Sequence, residues 1–543
     1  MSAAQVAAAL VAPASSVRRR GALLGGFLVL LGVTKARAQS ALGSSTPAPV
    51  APAPPPPDPQ LPLLDDRYAP FNRIVLGRWG DPVLPDAPAF DPAALTADQA
   101  DTEFPYDGVI AGLIAPPPAQ DGIPRLVMVL ATPDIPARMV FPPGQDNPAV
   151  AGHMQGVTVL NLQYLSGRWL TVDGGYQTRR IADAMLCAIS GPAANAVGTT
   201  VQGVLAPETG CTSPWGNVLL AEGDATAWLA RLADVGYGYG DPAEAARFGW
   251  VVELNALDPN NIPIKRTALG RIPRGGMAAT QTPDGRPVVF FTQDEPAGAL
   301  FRFIAATNAT DGTALDSGTL AVAQLAGDGI KWVNLGNDVP TLVGLDGAAQ
   351  AAGAEMFDAP GGLCLSADGS TLYLACGGNP ARTTPDALNP RANDDNGHII
   401  SFAIPGDVTA PNFAAALILV AGKPGVDPGT QYPAVAPCWL RKPRTLSIDR
   451  AGTLWIGTDQ HGNTSRMADG LFTLSQSALG QAYQAPIGAA MGGTTFAPDA
   501  TIFAMVRHPG ATPEASYNFP ATRWPTLEQN MPPQSTLIGL VTG

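Results

Sequence analysis

Along most of the chain, apolar residues come in short strand-length runs separated by polar turns, not at the three- and four-residue spacing of a helix face. Four stretches repeat the same sentence: "TPDGRPVVFFT" from Thr282, "SADGSTLYLAC" from Ser366, "DRAGTLWIGTD" from Asp449 and "APDATIFAMV" from Ala497. In each, Asp or Gly supplies the backbone freedom of a tight turn, and the β-branched and aromatic run that follows reads as a strand. The first three recur about 80 residues apart and the fourth about 50 later, the rhythm of propeller blades separated by insertions. Helical spacing is clear chiefly in "GDATAWLARLADVG" from Gly223. The pattern predicts an all-β fold: a single β-propeller of about six blades, with long decorated loops and few short helices. A pair of β-sandwiches is the alternative.

Composition sharpens this reading. The 543 residues include 60 Gly and 55 Pro, as a fold of many turns requires, and only 14% are charged. The 32 basic residues against 45 acidic ones leave a net charge of -13, with no basic stripe to neutralise a phosphate backbone, so nucleic acid is excluded as an expected partner. At the N-terminus, Arg18, Arg19 and Arg20 precede an apolar stretch from Gly21 to Thr34, and Ala36-Arg37-Ala38 forms a small-x-small cleavage site. Residues 1–38 are therefore expected to be a signal peptide of twin-arginine-like character, with an uncut anchor as the alternative. Residues 39–64, rich in Ala and Pro, read as an extended linker, and 65–543 as the folded domain. The mature protein is expected in the periplasm or outside the cell, with no membrane association after cleavage. Five cysteines are an odd number for an oxidising compartment. Around the Asp368-Gly369 turn, Cys364 would face Tyr373 and not Cys376, which argues against a disulfide there.

Residues 209–224, "TGCTSPWGNVLLAEGD", place Cys211 and a Pro-Trp-Gly turn before an apolar strand that ends in Glu222 and Asp224. "SPWGNVLLAEGD" resembles the Thr-Pro-Trp-Gly-Thr-x-Leu-x-x-Glu-Glu signature of PhoX-type alkaline phosphatases. Further segments resemble that family in the same order: "FNRIVLGRWGDPV", "GYQTRRIADAMLCAISGPAA", "FGWVVELNALDPNNIPIKRTALGRI", "NPRANDDNGHII", "GTLWIGTD" and "FAPDATIFAMVRHPG". The resemblance covers residues 65 to the end. It implies a propeller whose phosphatase site, at one end, holds two irons and several calcium ions and cleaves phosphomonoesters. Clustered cations of this kind neutralise and polarise a phosphate, and need carboxylates from several blades.

Set beside the family pattern, most of those ligands are replaced. Ala131, Thr132 and Pro133 stand near the family's Asn-His-Glu, Arg274-Gly275 where His-Glu follows Gly-Arg-Phe, and Ala359-Pro360-Gly361 for Arg-Pro-Glu. Pro443-Arg444-Thr445 replaces Pro-Asp-Asn, Ala490 a further Glu, Gly223 the second Glu of the signature, and Glu208 the ligand cysteine, with Cys211 displaced by three positions. Arg274 and Arg444 would put positive charge where cations belong. The remaining candidate metal ligands are Glu222, Asp224, Asp294, Glu295, Asp459 and Cys211, and the candidate anion-binding groups are Arg179, Arg180 and His508. Most have a plainer reading: Glu222 as a helix-entry acid or blade-turn hydrogen-bonder, Asp294 and Glu295 as exposed turn acids, Asp459 as a turn cap, His508 as a packed histidine, Arg179 and Arg180 as structural. "NDDNG" from Asn393 has calcium-loop chemistry without an EF-hand's spaced acids, and reads as a solvated loop. No catalytic residue is assigned, and no nucleophile elbow, phosphate loop, zinc helix or dinucleotide fingerprint offers a rival plan.

Two functional readings result. In the first, the metal centre is largely eroded and the propeller is non-catalytic or weakly active, binding an unidentified ligand or protein partner. In the second, it is a phosphomonoesterase with a rearranged calcium or iron site acting on a phosphate monoester.

Overall fold

The structure is a computed structural model that describes residues 61–235, 242–462, 464 and 466–542. The expected signal peptide and nearly all of the expected linker lie outside the described residues. Within them the chain forms six blades around one axis, antiparallel except where Ile264–Arg266 of blade 3 pairs in parallel with Leu186–Ser190. From the axis, the innermost strands are Val109–Ile114 (blade 2), Pro207–Thr212 (blade 3), Arg274–Gln281 (blade 4), Pro360–Leu365 (blade 5), Pro443–Ile448 (blade 6) and Ala490–Phe496 (blade 1). Each packs against the next around the ring, and blade 2 meets blade 1 to close it.

The four repeated turns are the hairpins joining the first and second strands of blades 4, 5, 6 and 1, and the Ser-Pro-Trp-Gly turn does the same for blade 3. Blade 1 is made from both ends of the domain: Phe71–Arg78 pairs antiparallel with Thr536–Thr542, so the first strand locks the last. Blades 4 and 5 continue into one another, because Gly329–Asn334 pairs with Asn412–Val420 to give a nine-stranded sheet. The helix expected from Gly223 onward is Thr226–Leu232.

Glycine makes the axis possible. A Cβ at Gly276 would sit 2.1 Å from the Gly361 carbonyl oxygen, and one at Gly492 would sit 2.2 Å from that of Gly108. Inner strands this close tolerate no side chain at those positions. Between blades, large apolar side chains fill the wedge: Phe291 stacks on Phe301 with centroids 5.1 Å apart, in a cluster that also holds Leu219, Val251 and Met277. Each such ring, fully buried, contributes about 1.5–3 kcal/mol by removal of apolar surface from water.

Cys364 pairs with Tyr373 in the ladder, as the turn length requires, and all five cysteines are free thiols. No helix of the described residues is long and apolar enough to cross a membrane.

Candidate functional site

In every hairpin the inner strand begins, and the second strand ends, at the same end of the propeller. Residues flanking those strand ends therefore converge on the axis from six blades. They line a funnel of about 640 Å³ whose wall includes Tyr106, Asp107 and Asp134 from blade 2, Glu208 from blade 3, Asp294 and Glu295 from blade 4, Arg444, Asp459 and His461 from blade 6, and Arg507 and His508 from blade 1.

Two guanidinium–carboxylate pairs dominate it. Arg444 donates from Nη1 and Nη2 to Asp294 Oδ1 and Oδ2 at 2.8 and 2.9 Å. Arg507 donates from Nε and Nη2 to Asp107 Oδ1 and Oδ2 at 2.8 and 2.7 Å. Both are bidentate, the strongest geometry this pairing has. Burial would raise both aspartates, but Arg444 and Arg507 outweigh it and hold them below the ordinary carboxylate range.

Glu208 lies in the field of both arginines. Desolvation, reinforced by Asp294, pushes its carboxyl up to about 7 in spite of Arg507 and Arg444. Asp459 behaves oppositely: burial raises it, yet His461, His508 and Arg507 together bring it down to about 2. The Tyr106 hydroxyl, in the funnel wall, is buried without a hydrogen-bond partner. The funnel thus carries fixed guanidinium cations at Arg444 and Arg507, ionised acids at Asp107, Asp294 and Asp459, and one acid, Glu208, poised near neutrality.

Of the residues singled out in the sequence, Asp294, Glu295, Asp459 and His508 come together here, with Glu295 exposed on the rim. His508 Nδ1 faces the Gly488 carbonyl at 3.3 Å. Asp224 and Glu295 share a neighbouring groove of about 930 Å³. Glu222 stands apart from the funnel. It is fully buried and pairs with Lys265 at 2.7 Å, and its carboxylate also accepts from the backbone N–H groups of Leu205, Gly249 and Trp250. Cys211 packs against the core between blades 3 and 4, and burial pushes its thiol up to about 12. Arg179 donates to the carbonyls of Pro259 and Asn255, and Arg180 to those of Ala100, His153, Met154 and Gln155. Neither lines the funnel.

Two expectations need correction. Arg444 does bring charge to the axis, but Arg274 does not: its buried guanidinium donates to the carbonyls of Gly249, Ile272, Leu269 and Gly270 and lies over the Phe291 ring. The loop at Asn393 is not wholly solvated, because Asp394 is buried and pairs with Arg391 at 2.7 Å. Asp107, Asp134, Tyr106, Arg507 and His461 were not foreseen. The available signal was position, since Asp134, Asp294, Asp459 and His508 each follow the second strand of a blade by one or two residues.

The family model of the alkaline phosphatase PhoX matches residues 68–510. The chain belongs to the PhoX family. Among solved structures, the PhoX of Pseudomonas fluorescens, in complex with vanadate, a transition state analogue, is 25% identical, with a TM-score of 0.80 over 89% of this chain and 97% of that one. A protein of unknown function from Dyadobacter fermentans is 9% identical, with a TM-score of 0.35 over 88% of this chain and 98% of that one. A periplasmic gluconolactonase of Pseudomonas aeruginosa is 11% identical, with a TM-score of 0.30 over 73% of this chain and 79% of that one. No curated protein matches the chain.

Proposed function

We propose that this PhoX-family propeller is an exported binding protein whose funnel takes a small polar ligand, and that it does not hydrolyse phosphomonoesters at a metal cluster. The observation that carries this reading is the pair of bidentate contacts, Arg444–Asp294 and Arg507–Asp107. They engage two of the funnel's carboxylates and set two permanent cations beside the space in which iron and calcium would have to gather, where like charges repel. Among the described residues, the only three carboxylate, imidazole or thiolate groups with donor atoms within 4.8 Å of one another are Asp358, Asp394 and His398, which do not line the funnel. This donor set does not fit two irons and several calcium ions. Export is supported by the arginine-led apolar segment and its cleavage site.

In this reading the ligand meets acceptors at Asp459 and Glu208, donors at the guanidinium edges, and the unengaged Tyr106 hydroxyl. The second reading, a phosphomonoesterase with a rearranged site, draws on the family and on Asp134, Glu208 and Asp459, which no arginine holds in a bidentate pair.

The two separate in one experiment: elemental analysis of mature protein purified without chelators, with p-nitrophenyl phosphate hydrolysis assayed on the same sample. Well-folded protein without turnover, and without iron or calcium that depends on Asp459, is expected. Near-stoichiometric iron or calcium, lost together with turnover in Asp459→Asn, would establish the phosphatase instead.

Glu208 provides a prediction on pH. Its folded value lies above the ordinary glutamate value, so folding is undisturbed while the group is protonated in both states, and is penalised as pH rises from the ordinary value through about 7. Glu208→Gln is expected to remove that penalty. Its urea midpoint should match the parent near pH 4 and exceed it at pH 8; equal midpoints at both values would refute this assignment.

A further inference from the structure

Blade 5 contains a second constellation, behind the funnel wall. His398 begins the third strand of the blade, opposite Cys376, and is fully buried. Neither ring nitrogen has a hydrogen-bond partner. A neutral imidazole has one N–H to give and one lone pair to fill, and either one left unmade in the interior keeps its full desolvation cost. Asp358 Oδ2, also buried, likewise lacks a hydrogen bond. Asp394 completes the set: one donor atom from each of the three lies within 4.8 Å of the other two.

The spacing has a chemical meaning. His398 Nδ1 is 3.8 Å from Asp394 Oδ2, too long for a hydrogen bond but short enough for both atoms to reach one small cation between them. The flanking arginines occupy the other oxygens: Arg382 Nε donates to Asp358 Oδ1, and Arg391 Nη2 lies 2.7 Å from Asp394 Oδ1. Besides the imidazole, Asp394 Oδ2 has only a long contact from the Gly397 N–H at 3.3 Å. Outer groups that fix one carboxylate oxygen and leave its twin for a cation are what orients metal ligands. The charge also permits it, since Asp358, Asp394 and Asp386 against Arg382 and Arg391 leave one net negative charge before a cation enters.

We infer that Asp358, Asp394 and His398 hold one divalent first-row transition-metal ion as a structural site. One imidazole with two carboxylates matches zinc or manganese; calcium takes oxygen ligands alone. Asp358 precedes Ala359, and Asp394 closes the loop that contains Gly378 and Pro380, all three of the latter residues being in the funnel wall. The ion therefore ties that wall to blade 5. It is a separate matter from metal in the funnel, and the test keeps the two apart.

Full-length protein, purified without chelators and dialysed, is analysed for metals as the parent, as His398→Gln, as Asp358→Asn and as Asp459→Asn. About one equivalent of zinc or manganese is expected in the parent and in Asp459→Asn, and little in His398→Gln and Asp358→Asn. Adding zinc or manganese chloride to chelator-stripped parent should raise its melting temperature, a readout that holds even where a variant fails to fold. Metal-free parent with no melting shift on addition overturns the proposal. Metal retained in His398→Gln but lost in Asp459→Asn also overturns it, by assigning the ion to the funnel.

Discussion

Glu222→Ala is expected to destabilise the domain by about 3–5 kcal/mol, the range for breaking a fully buried ion pair from one side. The carboxylate and the Lys265 ammonium are both without solvent exposure. Truncation leaves Lys265 with a 3.3 Å contact to the Arg247 carbonyl and its position 3.9 Å from the Phe248 ring centroid, and strips an acceptor from the Leu205, Gly249 and Trp250 N–H groups. Leu205 precedes the first strand of blade 3 and the adjacent Gly249 and Trp250 precede its third, so one side chain at the end of the second strand ties two separate segments together. The cost comes from the stranded ammonium and amides, not from the net worth of the pair. Glu222→Leu with Lys265→Met should therefore recover the share due to the stranded ammonium, since both charges then leave together, but not the share due to the three amides, which still lack their acceptor. Urea unfolding of the two variants checks this; a loss below about 1 kcal/mol in Glu222→Ala would contradict it. The same result bears on function, because activity lost in that variant cannot be credited to a missing metal ligand unless its fold is intact.

This case shows what the sequence made legible. The strand before Glu222, its turn and the acid at its end were all readable from local pattern. Its partner was not: Lys265 lies 43 residues away, two strands across the blade. The signal was Lys265 itself, an ammonium that follows the apolar Ile262-Pro263-Ile264 in "NIPIKRTALG". Blades were legible because each hairpin is a local event, in which turn chemistry and a period of two specify the register within about ten residues. The funnel is non-local by construction. Asp294 meets Arg444 across 150 residues and Asp107 meets Arg507 across 400, so neighbouring sequence carries no record of which arginine faces which acid. Arg274 and Arg444 show the same limit, since both stand at inner-strand starts but only one points to the axis. In Arg274, four carbonyls of the surrounding turns take up the guanidinium first.

Arg507→Ala is the second large effect, expected at about 3–5 kcal/mol near neutral pH, because it leaves Asp107 charged and buried. The Asp107 side chain is 2% exposed; besides Arg507, its Oδ1 accepts from the Gly108 N–H at 2.7 Å. In the parent, Arg507 holds Asp107 below the ordinary aspartate value, so the pair's contribution is full above that value and is lost as pH falls through the folded one. Without the guanidinium, burial is the largest influence left and raises Asp107, so the variant weakens as pH climbs through the ordinary range. The two pH profiles must then diverge upward from pH 4 and lie closest in acid. Arg507→Lys should rescue only in part, since an ammonium cannot reproduce the two parallel N–H contacts. Urea midpoints from pH 3 to pH 8 test the shape as well as the size: a deficit that stays constant with pH would mean lost packing alone, and the paired charges would then not be what sets the character of the funnel.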